Sequence, residues 1–238
     1  MAKRYEAKIH TTTEMSKREE LKKHRKLEQQ RQRLIPIALI GIAAVAIVAI
    51  LILTNSQPKS VNSRPSSTGM AMGNSEALVT VDEYADFQCP ACATFSTETE
   101  PTIVKNYVTP GKIYFTFHSF SFIGPESETA SQGTYCARDQ NKFWEFHDTL
   151  YNDQHGENQG WFTTARMVTY AGNLGLTTET FKACMDTGKY KQQVTDDLET
   201  GKAKGIDRTP SFIVNGQLVF ADTIIQTIDA ALKVKGVQ

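Results

Sequence analysis

Twenty consecutive residues without a charge, from Leu34 to Leu53, constrain this chain more than any other feature. As a helix they span roughly 30 Å, about the thickness of a bilayer's hydrocarbon core. Pro36 and Gly41 would weaken a soluble helix, but membrane helices tolerate both residue types. A buried core helix is the alternative, yet an apolar run without a polar face needs a much larger core. The run therefore predicts one transmembrane helix over residues 34–53.

The charges on either side of this segment predict its orientation. Residues 1–33 contain 11 Lys and Arg against 5 Asp and Glu, about six positive charges, so residues 34–238 carry about six negative charges within a net charge of zero. The excess of positive charge predicts a cytoplasmic N-terminus and an extracytoplasmic domain, anchored in the cell membrane by a single span. A cleaved signal peptide is the alternative. It is disfavoured because the leader is long and no A-x-A site follows closely.

The basic tail, residues 1–33, has a second interpretation. Lysine and arginine clusters bind nucleic acid in some proteins, but this tail has no interleaved aromatic residues. Control of membrane topology and attraction to anionic lipid headgroups explain its charge. We therefore expect no nucleic-acid partner.

Residues 54–76 are rich in Ser, Asn, Gly and Pro, which predicts a flexible linker before a folded domain that begins near Ala77. Met70 and Met72 lie in this linker and are weak evidence for a copper site, so we predict no metal. The residue patterns predict two strands, Val79–Phe87 and Lys112–Phe122, a helix from Pro90 to about Asn106, a mostly helical stretch over about 126–204, a hairpin around Asn215 and Gly216, and a final helix from about Asp222 to Val234.

Cys89 and Cys92 form a C-x-x-C pair between the first predicted strand and the helix that follows it. Such a pair serves either as half of a zinc site or as a redox dithiol. A structural zinc site needs four ligands, and the other two cysteines, Cys136 and Cys184, are 48 residues apart. At a helix N-terminus, by contrast, unpaired N–H groups and the helix dipole stabilise a thiolate. Pro90 suits the first helical turn because it lacks an N–H. The position favours redox chemistry.

The segment VDEYADFQCPACATF, together with RTPSFIVNG downstream, resembles the DsbA family of the thioredoxin superfamily. The resemblance extends over about residues 77–236, and the stretch containing YCARDQNKFWEFHDTLY is similar to DsbA-like members rather than to plain thioredoxins. It implies an α/β thioredoxin fold with a helical insertion, preceded here by one N-terminal transmembrane helix.

By position in the family motif, the resemblance implies that Cys89 is the exposed nucleophile and Cys92 the partner that resolves a mixed disulfide. It implies that Pro210 is the cis-proline of the substrate-binding loop, preceded by Thr209. Glu83 lies where the family often has a buried acid that assists proton transfer at the second cysteine. A solvated strand residue or an ion-pair partner is the alternative for Glu83.

Two further features follow from the same comparison. Some DsbA-like proteins carry a structural disulfide in the helical insertion, and Cys136 and Cys184 are at similar positions. Two free buried thiols are the alternative. We interpret His118 and His147 as packing histidines, Tyr84 and Phe87 as packing residues, and Asp82 and Asp86 as surface or strand-end residues.

The function expected is that of a protein thiol:disulfide oxidoreductase, most often an oxidase that introduces disulfides into reduced or unfolded secreted proteins. Its redox-active disulfide needs no other cofactor. The resemblance also implies reoxidation by a quinone-linked membrane protein of the DsbB or vitamin K epoxide reductase type. Ala91 replaces the histidine that strongly oxidising members often carry, which argues against an extreme potential. The alternatives are a reductase or isomerase of the same fold and a redox-inert, membrane-tethered binding module.

Overall fold

The computed structural model describes residues 64, 65 and 67–237. The predicted cytoplasmic tail, the predicted transmembrane helix over 34–53 and most of the first half of the predicted linker lie outside these residues. Within the described part of the chain, no helix combines the length and the apolar character needed to cross a membrane.

A six-stranded sheet forms the centre of the described region, in the order β1-β2-β4-β3-β5-β6. The strands are β1 (Ser67–Thr68), β2 (Ala71–Gly73), β3 (Val79–Ala85), β4 (Ile113–Ser119), β5 (Ser211–Val214) and β6 (Gln217–Phe220). Strands β3 and β4 are parallel, and every other neighbouring pair is antiparallel. The carboxyl ends of β3 and β4 therefore lie at the same edge of the sheet, where ligands and active sites of α/β folds commonly form.

Seven helices accompany the sheet in the described residues. The first, α1 (residues 90–108), combines α-helical turns with two π-helical turns, Phe95–Thr99 and Val104–Val108. Pro101 explains the first π-helical turn, because its ring and missing N–H disturb an ordinary α-helical turn before it. The others are α2 (Pro125–Arg138), α3 (Phe143–Asn152), α4 (Thr164–Asn173), α5 (Thr178–Asp186), α6 (Lys191–Ala203) and α7 (Ile224–Lys235).

The hydrophobic pattern of the strands explains how the layers assemble. In β4, buried residues alternate with half-buried ones along all seven positions, as expected for a strand with one face on the core. Phe115 and Phe117 from this strand pack with Phe143 and Trp144 of the helical insertion. Helices α2–α6 form that insertion between β4 and β5. The predicted α/β thioredoxin fold with a helical insertion is confirmed.

The predicted linker is wrong in its second half, because residues 67–76 belong to the folded domain. Strand β2 pairs with β4, with Met72 opposite Phe115, and Met72 is fully buried. A three-residue strand flanked by Ser, Gly and Asn gives no detectable alternation in the sequence. Its position is decided by pairing with a strand 40 residues later.

The predicted hairpin is present as β5 and β6. Asn215 and Gly216, which join them, both have positive φ values of 47° and 87°, the backbone conformation of a tight type I′ turn. The first predicted strand ends two residues early, at Ala85, since Asp86 and Phe87 leave the sheet to form the approach to Cys89.

Candidate active site

Cys89 lies at the junction between the loop after β3 and the first turn of α1. It is the N-cap residue, in extended conformation, with Pro90 at the first helical position. Its N–H donates to the carbonyl of Asp86, and its own carbonyl accepts from Ala93. Only 8 % of Cys89 is exposed, whereas Cys92, one turn further along, is fully buried. Both are free thiols in this structure. The first turn of the helix thus holds Cys89 slightly exposed and Cys92 completely buried.

The loop before β5 brings a second segment to this position. The peptide bond between Thr209 and Pro210 is cis, and the carbonyl oxygen of Thr209 lies 3.5 Å from the Sγ of Cys89. Strand β5 pairs directly with β3, so the loops at their adjoining ends meet. The hydroxyl of Thr209 is buried and has no hydrogen-bond partner among the described residues. It is therefore available to donate to a thiolate at Cys89.

The pKa values of the two cysteines are shifted in opposite directions. A hydrogen bond from Cys92 is the largest contribution that lowers the pKa of Cys89 to about 6, helped by Thr209 and by the backbone N–H groups of Ala91 and Cys92. Burial and the interaction with Cys89 raise the pKa of Cys92 well above its ordinary value. At neutral pH the reduced site therefore holds a thiolate on Cys89 and a thiol on Cys92.

Asp86 is the main anchor of the loop that carries Cys89. Its carboxylate accepts hydrogen bonds from the backbone N–H groups of Gln88, Phe122 and Ile123, at 2.8–3.1 Å, and from the hydroxyl of Ser127 at 2.6 Å. One side chain thus joins the loop before α1, the loop after β4 and the start of α2. Asp86 does lie just beyond a strand end, but it is fully buried rather than at the surface. The Asp-x-Gln spacing of an Asx turn is the sequence signal that indicates this role.

Replacement of Asp86 by Ala is expected to lower the free energy of unfolding by at least about 3 kcal/mol. Each buried donor left without a partner costs roughly 1–3 kcal/mol, and the substitution orphans several of them. Denaturant unfolding at pH 7 measures the difference. Asp82→Ala is the matched control, because Asp82 makes only a part-exposed contact with His118, which contributes about 1 kcal/mol or less. Equal losses in the two variants would contradict the anchoring role.

Glu83, in the middle of β3, is only 1 % exposed. Neither carboxylate oxygen has a hydrogen-bond partner in the described part of the chain. Burial is the main reason that its pKa is raised well above the usual range, with a further increase from Glu100 and a smaller decrease from Arg64. The alternative of a solvated strand residue is therefore wrong. Glu83 is a buried acid whose protonated form is favoured by its surroundings.

Arg64 and Glu100 were not singled out by sequence reasoning. Arg64 falls within the predicted linker, yet its guanidinium donates to Glu100 at 2.5 Å and also pairs with Asp148. It lies 4.3 Å from the centre of the Trp144 ring. No local pattern could indicate this contact, since Arg64 and Asp148 are 84 residues apart.

The two histidines have the roles expected of packing residues. His147 is fully buried among aromatic rings, and its Nδ1 lies 2.9 Å from Asp148. His118 stacks on Tyr84 and contacts Asp82.

The ligating atoms of Glu83, Glu100 and His147 lie within 4.8 Å of one another. Because the guanidinium of Arg64 already supplies the positive charge at this cluster, we assign it no metal ion.

A disulfide joins Cys136 of α2 to Cys184 of α5, with the two Cα atoms 5.9 Å apart. Both helices belong to the insertion, so this bond cross-links the insertion without reaching the redox pair. The four cysteines therefore divide into a closed structural pair and an open reactive pair.

A thioredoxin fold with a Cys-x-x-Cys pair at the first helix, facing a Thr-Pro loop, defines the chain as a protein thiol:disulfide oxidoreductase. A sequence profile described as "Thioredoxin" matches residues 65–234. The chain belongs to that family, within which its relatives are of the DsbA and BdbD type.

Three relatives show how far the similarity extends. Disulfide bond formation protein D of Bacillus subtilis (strain 168) is 32% identical over 187 residues, which are 74% of this chain and 82% of that protein. The probable disulfide bond formation protein D of Bacillus cereus is 28% identical over 206 residues, 84% of this chain and 95% of that protein. The crystal structure of oxidised BdbD from Bacillus subtilis superposes with a TM-score of 0.65 at 29% identity, covering 71% of this chain and 96% of that one.

Proposed function

We propose that this protein is an extracytoplasmic oxidase that introduces disulfides into reduced or unfolded secreted and surface proteins. The observation that carries the proposal is the unequal proton affinity of the two sulfurs, with the pKa of Cys89 lowered to about 6 and that of Cys92 raised. A stabilised thiolate favours the reduced form of the enzyme, and a favoured reduced form makes the oxidised form a better oxidant. The relatives are named as disulfide bond formation proteins, which supports the same direction.

The reaction begins with the oxidised enzyme, in which Cys89 and Cys92 are joined. A substrate thiolate attacks the Sγ of Cys89, the S–S bond breaks, and Cys92 leaves with the electron pair and takes up one proton. A second substrate thiolate then attacks the substrate sulfur of the mixed disulfide, and Cys89 leaves as a thiolate. The substrate gains one disulfide by losing two electrons, and the enzyme gains those electrons as its reduced dithiol.

Each neighbour of the sulfurs has a defined part in these steps. Cys89 is the accessible sulfur and a good leaving group, because its thiolate is stabilised. Thr209 and Pro210 present backbone groups beside Cys89, where an extended substrate chain could add as a strand. Glu83 is the buried acid that protonates Cys92 as it leaves.

The charge pattern supports the proposed location, and the resemblance to the DsbA family supports the proposed partner. An uncleaved anchor over residues 34–53 would hold the N-terminus in the cytoplasm and keep the dithiol outside the membrane. The reduced enzyme must then pass two electrons onward. A quinone-linked membrane oxidase of the DsbB or vitamin K epoxide reductase type is the proposed acceptor.

The proposed direction can be tested with the full-length oxidised protein in detergent and reduced, unfolded ribonuclease A. We expect each protein molecule to remove two thiols from the substrate and to form one substrate disulfide. Cys89→Ser is expected to lose this activity by at least about a thousand-fold, because it cannot form the mixed disulfide. A substrate that keeps all its thiols would refute the oxidase assignment. Equal activity of the wild type and the Cys89→Ser variant would refute the assignment of Cys89 as nucleophile.

A further inference from the structure

Two carboxylic acids lie close together in the core. Glu83 comes from β3 and Glu100 from α1, each is 1 % exposed, and both belong to the cluster whose polar atoms lie within 4.8 Å of one another. Both oxygens of Glu83 and the Oε2 of Glu100 have no hydrogen-bond partner among the described residues. Two carboxylates this close in a low-dielectric interior repel each other when both are ionised, so one of the two acids is favoured to keep its proton.

Arg64 makes the two acids unequal. Its Nη1 donates to the Oε1 of Glu100 at 2.5 Å, and its other nitrogens bond to Asp148. Its side chain is 10% exposed, so water screens these ion pairs weakly. Glu100 therefore has a direct cationic partner, whereas Glu83 has none among these contacts.

We propose that this pair of acids binds a single proton and that Arg64, by pairing with Glu100, keeps this proton on Glu83 for delivery to Cys92. Glu100 and Arg64 are then positioning residues that act through Glu83. This inference rests on the proposed function, because it concerns the proton that Cys92 receives when it leaves.

The ionisable groups around Glu83 favour its protonated form over its carboxylate. Arg64, Glu100, His147 and Tyr151 are ionisable side chains close to Glu83. Tyr151 is also close to Cys92, and Asp148 pairs with both His147 and Arg64. Burial raises the pKa of Tyr151 well above its ordinary value, so its phenol stays neutral. Burial opposes the ionisation of Asp148, but His147 and Arg64 together lower the pKa of this acid.

The proposed proton transfer predicts that the reaction rate depends on pH, which can be tested. When substrate sulfur bonds to Cys89, Cys92 leaves as a thiolate and takes the proton of Glu83, which becomes a carboxylate and is reprotonated by water. Glu83 can donate only below its own pKa. The rate of this step must therefore fall as the pH rises through that value.

The first experiment measures this step directly on the full-length oxidised protein in detergent. Dithiothreitol reduces the Cys89–Cys92 bond in a single turnover between pH 5 and 10, and each rate is divided by the thiolate fraction of the reductant. We expect the wild type to show one descending inflection, which Glu83→Gln abolishes. Glu100→Gln should move the inflection to lower pH by at least about one unit, because it removes a buried anion that disfavours ionisation of Glu83.

The second experiment reads the location of the proton by infrared spectroscopy of protonated carboxyl groups at pH 7. We expect a wild-type band that disappears in Glu83→Gln. Arg64→Gln should gain a second band, which is absent from the Arg64→Gln/Glu100→Gln double variant. Arg64→Lys keeps the charge and should resemble the wild type. Arg166→Gln is the matched control, since Arg166 also lies over a tryptophan ring, 4.1 Å from the centre of Trp161, and should add no band.

The outcomes separate this inference from the proposed function. An unchanged inflection in Glu100→Gln, or no added band in Arg64→Gln, overturns the inference while oxidation of ribonuclease A stands. Failure of the wild type to oxidise that substrate overturns the proposed function instead. Circular dichroism checks folding, and if Arg64→Gln does not fold, Arg64→Lys decides the role of Arg64. A second band in Arg64→Lys would contradict that role, and a wild-type spectrum would support it.

Discussion

Alkylation of Cys89 by iodoacetamide is expected to follow a titration curve with its inflection near pH 6. At that pH an ordinary cysteine of pKa 8.5 is less than about 1 % ionised, so Cys89 should carry roughly a hundred-fold more thiolate. The physical reason is the set of donors at the sulfur: the thiol of Cys92, the side chain of Thr209 and the N–H groups of the first helical turn. The rate at increasing pH, followed by mass spectrometry of the Cys89 peptide, gives the inflection.

Two substitutions at Cys92 provide the controls for this measurement. Cys92→Ala removes the largest contribution that lowers the pKa of Cys89, and we expect the inflection to move to higher pH by at least about one unit. Cys92→Ser keeps a hydroxyl donor at nearly the same place and should shift the curve less. An inflection near pH 8.5 in the wild type would show that Cys89 is not activated.

The same titration predicts how the midpoint potential depends on pH. Below about pH 6, reduction takes up two protons with two electrons, and the potential should fall by about 60 mV per pH unit. Above this pH, Cys89 stays ionised and one proton is taken up, so the slope should halve to about 30 mV. The stabilisation of the reduced form by this thiolate is therefore lost as the pH falls through about 6. At pH 7 it makes the potential higher by only about 30 mV, in keeping with the absence of a histidine at Ala91.

The second large effect concerns the disulfide of the insertion. Removing it with Cys136→Ala and Cys184→Ala is expected to lower the free energy of unfolding by about 4 kcal/mol. This disulfide closes a loop across a sequence separation of 48 residues, and the unfolded chain regains the corresponding entropy when the bond is absent. Guanidinium unfolding should be measured in a Cys89→Ser/Cys92→Ser background, so that no other disulfide forms or exchanges.

Single variants make this prediction specific. Cys136→Ala and Cys184→Ala should each lose about as much stability as the double variant, because either one opens the loop. A double variant that loses less than about 1 kcal/mol would show that the insertion is held by its packing alone. We expect the residual fold to keep α1 and the loop before it, since the bond joins α2 to α5 and reaches neither.

Local features of the sequence predicted the reactive pair and the elements around it. A strand that leads into Cys89, a proline at the first helical position and an Asn-Gly turn each depend on residues close in the chain. The structure has all three. The resemblance to DsbA-like proteins extended the prediction to four distant residues, Thr209, Pro210, Cys136 and Cys184. A family motif can do this because it relates residues that are far apart in the chain, whereas a local pattern cannot.

Composition misled where a short element depends on distant partners. The Ser- and Gly-rich segment before Ala77 has the composition of a linker, yet Met72 is buried against β4. The predicted position of Asp86 is a surface or a strand end, but four donors from three segments surround its carboxylate. In both cases the decisive contacts come from residues tens of positions away.

The sequence by itself determined the chemistry: which two sulfurs react, which of them begins a helix, and where the chain has an apolar run long enough for a membrane. Only the tertiary structure decided the proton affinities around them. Glu83 is buried because β3 lies at the centre of the sheet, and Arg64 reaches Glu100 and Asp148 because the chain folds back across its own helical insertion. The charge state of a buried acid depends on its distance to other charges in space, and spacing along the chain does not contain that distance.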